Sequence, residues 1–292
     1  ALKQESLRET LCTEGLDGWR FSSGAMTLFV PRQGKELFRD LTIGGELLAA
    51  DACLKAILER RGGTEGSYVR TEWPGVSMIQ EAVLEDAGPL MWSFCFRGTH
   101  VFQGMKDFRE RGSFPETSKE AIPFILRMKL YRDTTRIDMQ HTFLYDGDET
   151  VDFLKGVGIE VRCPLKGDSF DRHVRFGTDY GSFHEASSLM LVWDHKHPGE
   201  IYDAQIKGSS LAEGCGLSEE TAARLKGIAA DSPIWDRYRL TQDSDMHFFI
   251  QKKTAHENCC FLNALHGAHA KGTMAFGGVG GSVLIGLRDF WQ

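Results

Sequence analysis

The chain has 292 residues, 41% of them hydrophobic and 26% charged, a composition that excludes disordered and collagenous classes. No apolar run approaches the ~20 residues needed to span a bilayer, which argues against a membrane partner. With 34 Lys and Arg against 41 Asp and Glu the formal net charge is −7, and no basic stripe stands out, so a nucleic-acid partner is disfavoured.

The 32 Gly and 19 Phe describe many turns between aromatic-rich strands, the composition of a sandwich rather than a helix bundle. The start, ALKQESLRET, is polar and has no signal-peptide core. The seven Cys are odd in number, adjacent Cys259 and Cys260 bridge each other only with strain, and neither Asn258 nor Asn263 begins a glycosylation sequon. These features lean toward a reducing, cytoplasmic compartment with mostly free thiols, with secretion open if the chain is a piece of a longer one.

Period-2 alternation begins at Trp19 and predicts strands over Gly24 to Val30, Leu37 to Ile43, Val76 to Leu84 and Leu90 to Phe102. The clearest hairpin runs from Ile122 to Tyr145. Phe124, Leu126, Met128 and Leu130 share one face of its first arm; Ile137, Met139, His141, Phe143 and Tyr145 share one face of the second, after an Asp133-Thr134 turn. Arms with one apolar face each call for a second layer. Further strands are expected over Val157 to Arg162, Arg172 to Phe176, Ser187 to Trp193, Tyr238 to Thr241, Met246 to Lys253 and Ser282 to Leu287. Gly62-Gly63, Gly88-Pro89, Pro198-Gly199 and Gly277-Gly278 read as turns.

A helix is expected over Leu217 to Ala229, with Ser218 as N-cap, Glu219 and Glu220 in the positive first turn, and Arg224 and Lys226 toward the negative end. No repeat or linker interrupts the chain. The expected fold is therefore mainly β: a two-layer antiparallel, supersandwich-like β-sandwich with one short helix, as a single domain over residues 1–292.

The densest chemical candidate is Asp171-Arg172-His173-Val174-Arg175-Phe176-Gly177. In a strand, His173 and Arg175 share one face, opposite Arg172, Val174 and Phe176. A proton-transfer group beside a fixed cation suits an anionic sugar, because arginine grips a carboxylate with a planar fork and histidine exchanges a proton near neutral pH. The plainer account is a solvated strand face. His141 lies on an apolar face, where a histidine is ordinarily a hydrogen-bonded core residue; His100 carries the same ambiguity.

Asp194-His195-Lys196-His197 runs into Pro198-Gly199 and is more simply a surface turn. His266 and His269 near Cys259 and Cys260 lack a recognised zinc spacing. The carboxylates of Tyr145-Asp146-Gly147-Asp148-Glu149 fit a turn better than a calcium loop, and Gly277 to Gly281 lacks the Lys-Ser/Thr of a phosphate loop. No metal or other cofactor is expected.

Several segments together resemble a known family. The run LYRDTTRIDMQHTFLYDGDETVDFLKGVGIEVRCPL, then DRHVRFG, then LSEETAARLKGIAADSPIWDRYRLTQDSDMHFFIQKKT, and the closing IGLRDFWQ are similar to the central region of the exo-rhamnogalacturonan lyase and YetA-like proteins, polysaccharide lyase family 26. The resemblance extends from about Gly24 to the end. It implies a central β-sandwich from a longer lyase, flanked by an N-terminal sandwich and a C-terminal α/α toroid, acting on an acidic polysaccharide or oligosaccharide of pectin.

The implied reaction is β-elimination at galacturonate. Removing the C5 proton creates an enolate-like dianion, so a cation must neutralise the carboxylate before a modest base can act. Arg175 or Arg172 suits the first role, His173 the second, and Tyr180 could protonate the leaving oxygen. His141, His184, Glu185 and Trp193 are candidate substrate-binding residues. Two other classes compete: a non-catalytic carbohydrate-binding sandwich stacking sugars on Trp193 and Trp235, and a sugar hydrolase or epimerase, for which Glu185 is the best-placed carboxylate.

Overall fold

The computed structural model describes residues 11–64, 67–102, 121–187, 211, 218–231 and 234–290. It divides into two compact units, Ala1–Pro164 and Leu165–Gln292. Both are built almost wholly from antiparallel strands, so the fold is mainly β, as the alternation predicts.

In the first unit β1 (Cys12–Glu14), β2 (Gly18–Ser22), β3 (Met26–Pro31), β4 (Glu36–Ile43), β5 (Glu46–Thr64), β6 (Ser67–Ala87), β7 (Met91–Val101), β8 (Ala121–Tyr131) and β9 (Ile137–Phe143) pair in chain order. The tenth strand, β10 (Asp152–Arg162), lies along β5. β5 turns this meander into a sandwich: its first half pairs with β4 through Cys53, and from Lys55 onward it pairs with β6. The change of partner bends the sheet over itself. Trp19, Phe21, Leu28, Val30 and Leu37 from β2 to β4 then meet Trp92, Phe94, Phe96, Leu126 and Met128 from β7 and β8 in one core.

The layers are keyed by edge-to-face rings, with centroids 5.5 Å apart for Trp19 and Phe94 and 5.2 Å for Phe21 and Trp92. Each such aromatic contributes about 1.5–3 kcal/mol of burial. The expected Ile122 to Tyr145 hairpin is β8 and β9, and β8 buries every second residue.

Gly62-Gly63 does not form a turn. It lies within β5, opposite Val69 and Tyr68, and the reversal comes after Thr64, which pairs with Ser67. The short β1, and β5 with its change of partner, leave no complete single-face alternation to read, whereas β2 buries Trp19 and Phe21 on either side of exposed Arg20.

The second unit contains β11 (His173–Thr178), β12 (Gly181–Ala186), β13 (Trp235–Ser244), β14 (His247–Thr254), β15 (Leu262–Gly267), β16 (Ala270–Gly278) and β17 (Gly281–Gly286). They form a four-stranded sheet, β12-β11-β16-β17, and a three-stranded sheet, β13-β14-β15. Val174, Phe176 and Ala270 of the first sheet pack with Phe248 and Ile250 of the second, joined by Phe183, Tyr238 and Met274. This is a two-layer sandwich in miniature.

The helix α1 spans Glu219–Asp231, with Glu219 and Glu220 in its first turn. Arg224 and Lys226 lie mid-helix, and the last turn carries no basic residue, so they do not offset the negative end as the sequence reading placed them. Of the strand expected over Ser187 to Trp193 only Ser187 is described, as a bend; Trp193, His195 and His197 lie outside the described residues. Gly277 and Gly278 end β16 rather than forming the turn, which is Val279-Gly280 between the paired Gly278 and Gly281.

Candidate functional site

The DRHVRFG segment enters the four-stranded sheet after a single 3-10 turn, Ser169–Asp171. Along β11 the buried residues are Val174, Phe176 and Thr178, which face the core, so His173 and Arg175 project from the other face as the alternation requires. Register completes the neighbourhood. Arg175 lies opposite His184 on β12 and Ala275 on β16, and His173 lies opposite Ala186 and Gly277.

Ala275 and Gly277 provide a low floor between taller side chains. The result is a pocket of about 310 Å³ lined by Asp171, His173 and Arg175, by Ala275 to Val279, and by Gly281 and Ser282. Gly278 is required by close approach: a Cβ there would lie 2.6 Å from the Lys166 carbonyl oxygen.

Within this site His173 Nδ1 and His184 Nε2 are 2.9 Å apart, a hydrogen bond between two imidazoles on adjacent strands. His173 Nε2 is shielded from solvent and has no hydrogen-bond partner. Burial holds the His173 pKa below the usual histidine value; the nearby Asp171 carboxylate opposes this and the Arg175 guanidinium adds to it. His184 is pushed down to about 4, first by burial and then by the Arg175 and His173 charges. Both imidazoles are therefore neutral near pH 7, each with one nitrogen lone pair beside a cation that is always charged.

The remaining candidates are distributed differently. Arg172 turns away, donating from Nε and Nη2 to the Gly167 carbonyl at 3.2 and 3.0 Å, where it ties down the entry to the site. Glu185 alternates to the face opposite His184; it is ion-paired with Lys252, which itself lies 4.5 Å from the Trp235 ring centroid. Tyr180 lies at the far turn of the β11–β12 hairpin, 71% exposed, and does not line the pocket.

His141 belongs to the first unit. There its Nε2 is 3.4 Å from Nε2 of buried His100, whose Nδ1 is 2.7 Å from Ser77 Oγ. That is the hydrogen-bonded histidine expected on an apolar strand face. His184 pairing with His173 was not legible from the sequence, because β12 has no alternating apolar pattern and β16, which supplies the floor, lies about a hundred residues downstream.

Among the described residues no group of three or more His, Cys, Asp and Glu side chains is placed to hold a metal ion. Asp148 in the acidic turn instead accepts from the Thr150 backbone N–H at 2.9 Å and hydroxyl at 2.6 Å, the turn role read from the sequence. The six described cysteines are free thiols. No helix among the described residues is long and apolar enough to cross a membrane.

The two sandwiches, and the run of segments that carries the resemblance, are matched by one family model, the PcRGLX-like protein central beta sandwich domain, over residues 11–292. The chain belongs to that family. A curated relative, the uncharacterized protein YetA of Bacillus subtilis (strain 168), is 29% identical over 270 residues, covering 92% of this chain and 29% of YetA. The chain thus spans less than a third of that relative's length. The match takes in the first unit from residue 11 and the whole of the second.

Proposed function

We propose that the chain is the central domain of a polysaccharide lyase that cleaves rhamnogalacturonan, the acidic polysaccharide of pectin, by β-elimination at galacturonate. The observation that carries this reading is His173 beside Arg175 on one pocket wall, with His173 hydrogen-bonded to His184 on the adjacent strand. In this reading the Arg175 guanidinium takes the uronate carboxylate in a fork and so acidifies the C5–H bond. His173 accepts the C5 proton, the C4–O bond breaks with its electron pair leaving on oxygen, and a C4–C5 double bond remains. The leaving oxygen takes a proton; with Tyr180 at the distant turn, the imidazolium of His173 is the group that returns it. Arg172 acts by holding the segment rather than by touching the sugar.

The family membership supports the same reading, as does the fraction of YetA that the chain covers, which leaves room for a flanking N-terminal sandwich and C-terminal α/α toroid in the full-length protein. The alternative, a non-catalytic carbohydrate-binding module, makes no unsaturated product. The test is ultraviolet detection of unsaturated uronate released from rhamnogalacturonan by the full-length protein. His173→Ala should lower turnover by roughly 10²-fold or more while changing ligand affinity little. Arg175→Lys should also lower it, since a point charge replaces a fork. Unchanged turnover in His173→Ala would remove this assignment; proportional losses of affinity with no elimination product would favour the binding module.

A further inference from the structure

We infer that His184 is a positioning residue: it accepts the Nδ1 proton of His173 and so keeps the lone pair of His173 on Nε2, the nitrogen that takes the substrate proton. The inference rests on the lyase reading above for its catalytic half and on the geometry alone for its tautomeric half.

The 2.9 Å contact between His173 Nδ1 and His184 Nε2 requires one proton between two neutral rings, and only two arrangements supply it. If His184 donates, the proton of His173 must sit on Nε2, where it would be a buried N–H with no acceptor. Orphaned buried N–H groups are rare in folded proteins, rarer than under-satisfied carbonyl acceptors. If His173 donates, its Nε2 carries a lone pair instead. His184 then carries its proton on Nδ1, which is not among the buried atoms lacking a partner. The second arrangement leaves no donor stranded.

It also fits the surroundings. His173 lines the pocket with Arg175, and a positive guanidinium nearby favours a lone pair over a second proton. Cross-strand register fixes the two rings: His173 and His184 lie on adjacent antiparallel strands, with ring centroids 5.0 Å apart. Sugar entry has to turn the His173 ring enough to uncover Nε2, and the hydrogen bond to His184 limits that motion to one that preserves the tautomer.

The two halves are tested separately. Nitrogen-15 NMR of histidine-labelled full-length protein at pH 7, without substrate, should show His173 protonated on Nδ1 and bare on Nε2. His173 protonated on Nε2 would overturn the inference whatever the enzyme does. For the catalytic half, His184→Ala should lower kcat by roughly 10-fold or more with KM little changed, and His184→Gln, whose amide carbonyl can accept the same proton, should recover most of the loss.

The acid limb of kcat/KM should lie below the ordinary histidine value in the wild type, since burial and the Arg175 guanidinium hold His173 down. Equal kcat in wild type and His184→Ala, or no recovery in a folded His184→Gln, would overturn the positioning role. A wild-type protein that releases no unsaturated uronate would sink the lyase reading and this catalytic half together, with the tautomer still decided by the resonances.

Discussion

Acidifying the protein from pH 7 to pH 5 should destabilise the first unit, chiefly through His100 and also through His141, whose pKa burial lowers as well. His100 is 1% exposed, its ring stacked 4.7 Å from the Phe124 ring and bonded at Nδ1 to Ser77 and at Nε2 to His141. Burial, with a smaller contribution from His141, pushes its pKa from 6.5 down to about 4. A histidine whose pKa is depressed on folding binds fewer protons in the native state than in the unfolded one. Its contribution is therefore fully present above 6.5 and is lost as pH falls toward 4. The shift corresponds to about 3 kcal/mol once pH reaches 4, of which about 2 kcal/mol is lost by pH 5. That is a large part of an ordinary domain's margin. Urea unfolding followed by tryptophan fluorescence at several pH values, on the wild type and on His100→Gln, measures it. The variant's stability should fall less steeply between pH 7 and 5, by about 2 kcal/mol over the interval, whatever its stability at neutral pH. Parallel curves for the two proteins would refute the reasoning.

Three further outcomes follow from other parts of the structure. Arg60 and Asp152 face each other across β5 and β10 at 2.6 Å with both side chains 1% exposed, so Asp152→Ala leaves a buried guanidinium without its carboxylate. The loss should be about 3–5 kcal/mol in chemical denaturation, and a loss under about 1 kcal/mol would contradict the pairing. Burial pushes the Cys12 thiol up to about 11 and raises Cys53, Cys95 and Cys163, whereas hydrogen bonds from Thr254 hold Cys259 below the usual thiol value. Cys259 should therefore be the first of these five alkylated by iodoacetamide near neutral pH, as read by peptide mass spectrometry; prior labelling of the other four would overturn this. Ala275→Leu, on the pocket floor opposite Arg175, should abolish turnover by filling the pocket while leaving the sheet paired, and retained turnover would show that the sugar does not lie on that floor.

The fold was legible wherever a strand keeps one face in the core. In β8 the residues Ile122, Phe124, Leu126, Met128 and Leu130 are all buried and alternate without interruption, so the period-2 signal is complete. It fails in β5, whose residues pair first with β4 and then with β6 while β10 lies along the same stretch, and there two glycines inside a long strand look like a turn. The helix was legible from its acidic start, though its negative end lacks the cations assigned to it.

At the site, alternation alone placed His173 and Arg175 on one face. Partnership was out of reach. Nothing local marks His184 as lying against His173, or Ala275 and Gly277 as the floor beneath them, since those relations exist only after β11 has paired with strands on both sides. The same holds for Glu185, which sits beside His184 in sequence yet faces Lys252 through the opposite side of the sheet.

The most direct measurement of the central claim is a crystal structure of the full-length protein with a rhamnogalacturonan oligosaccharide bound to the His173→Ala variant, which should bind without turning over. The uronate carboxylate should be forked onto the Arg175 guanidinium, with the C5 hydrogen directed at the space vacated by the imidazole and the ring lying over Ala275 and Gly277. An oligosaccharide bound elsewhere, with this pocket empty and Arg175 making no contact to it, would contradict the account.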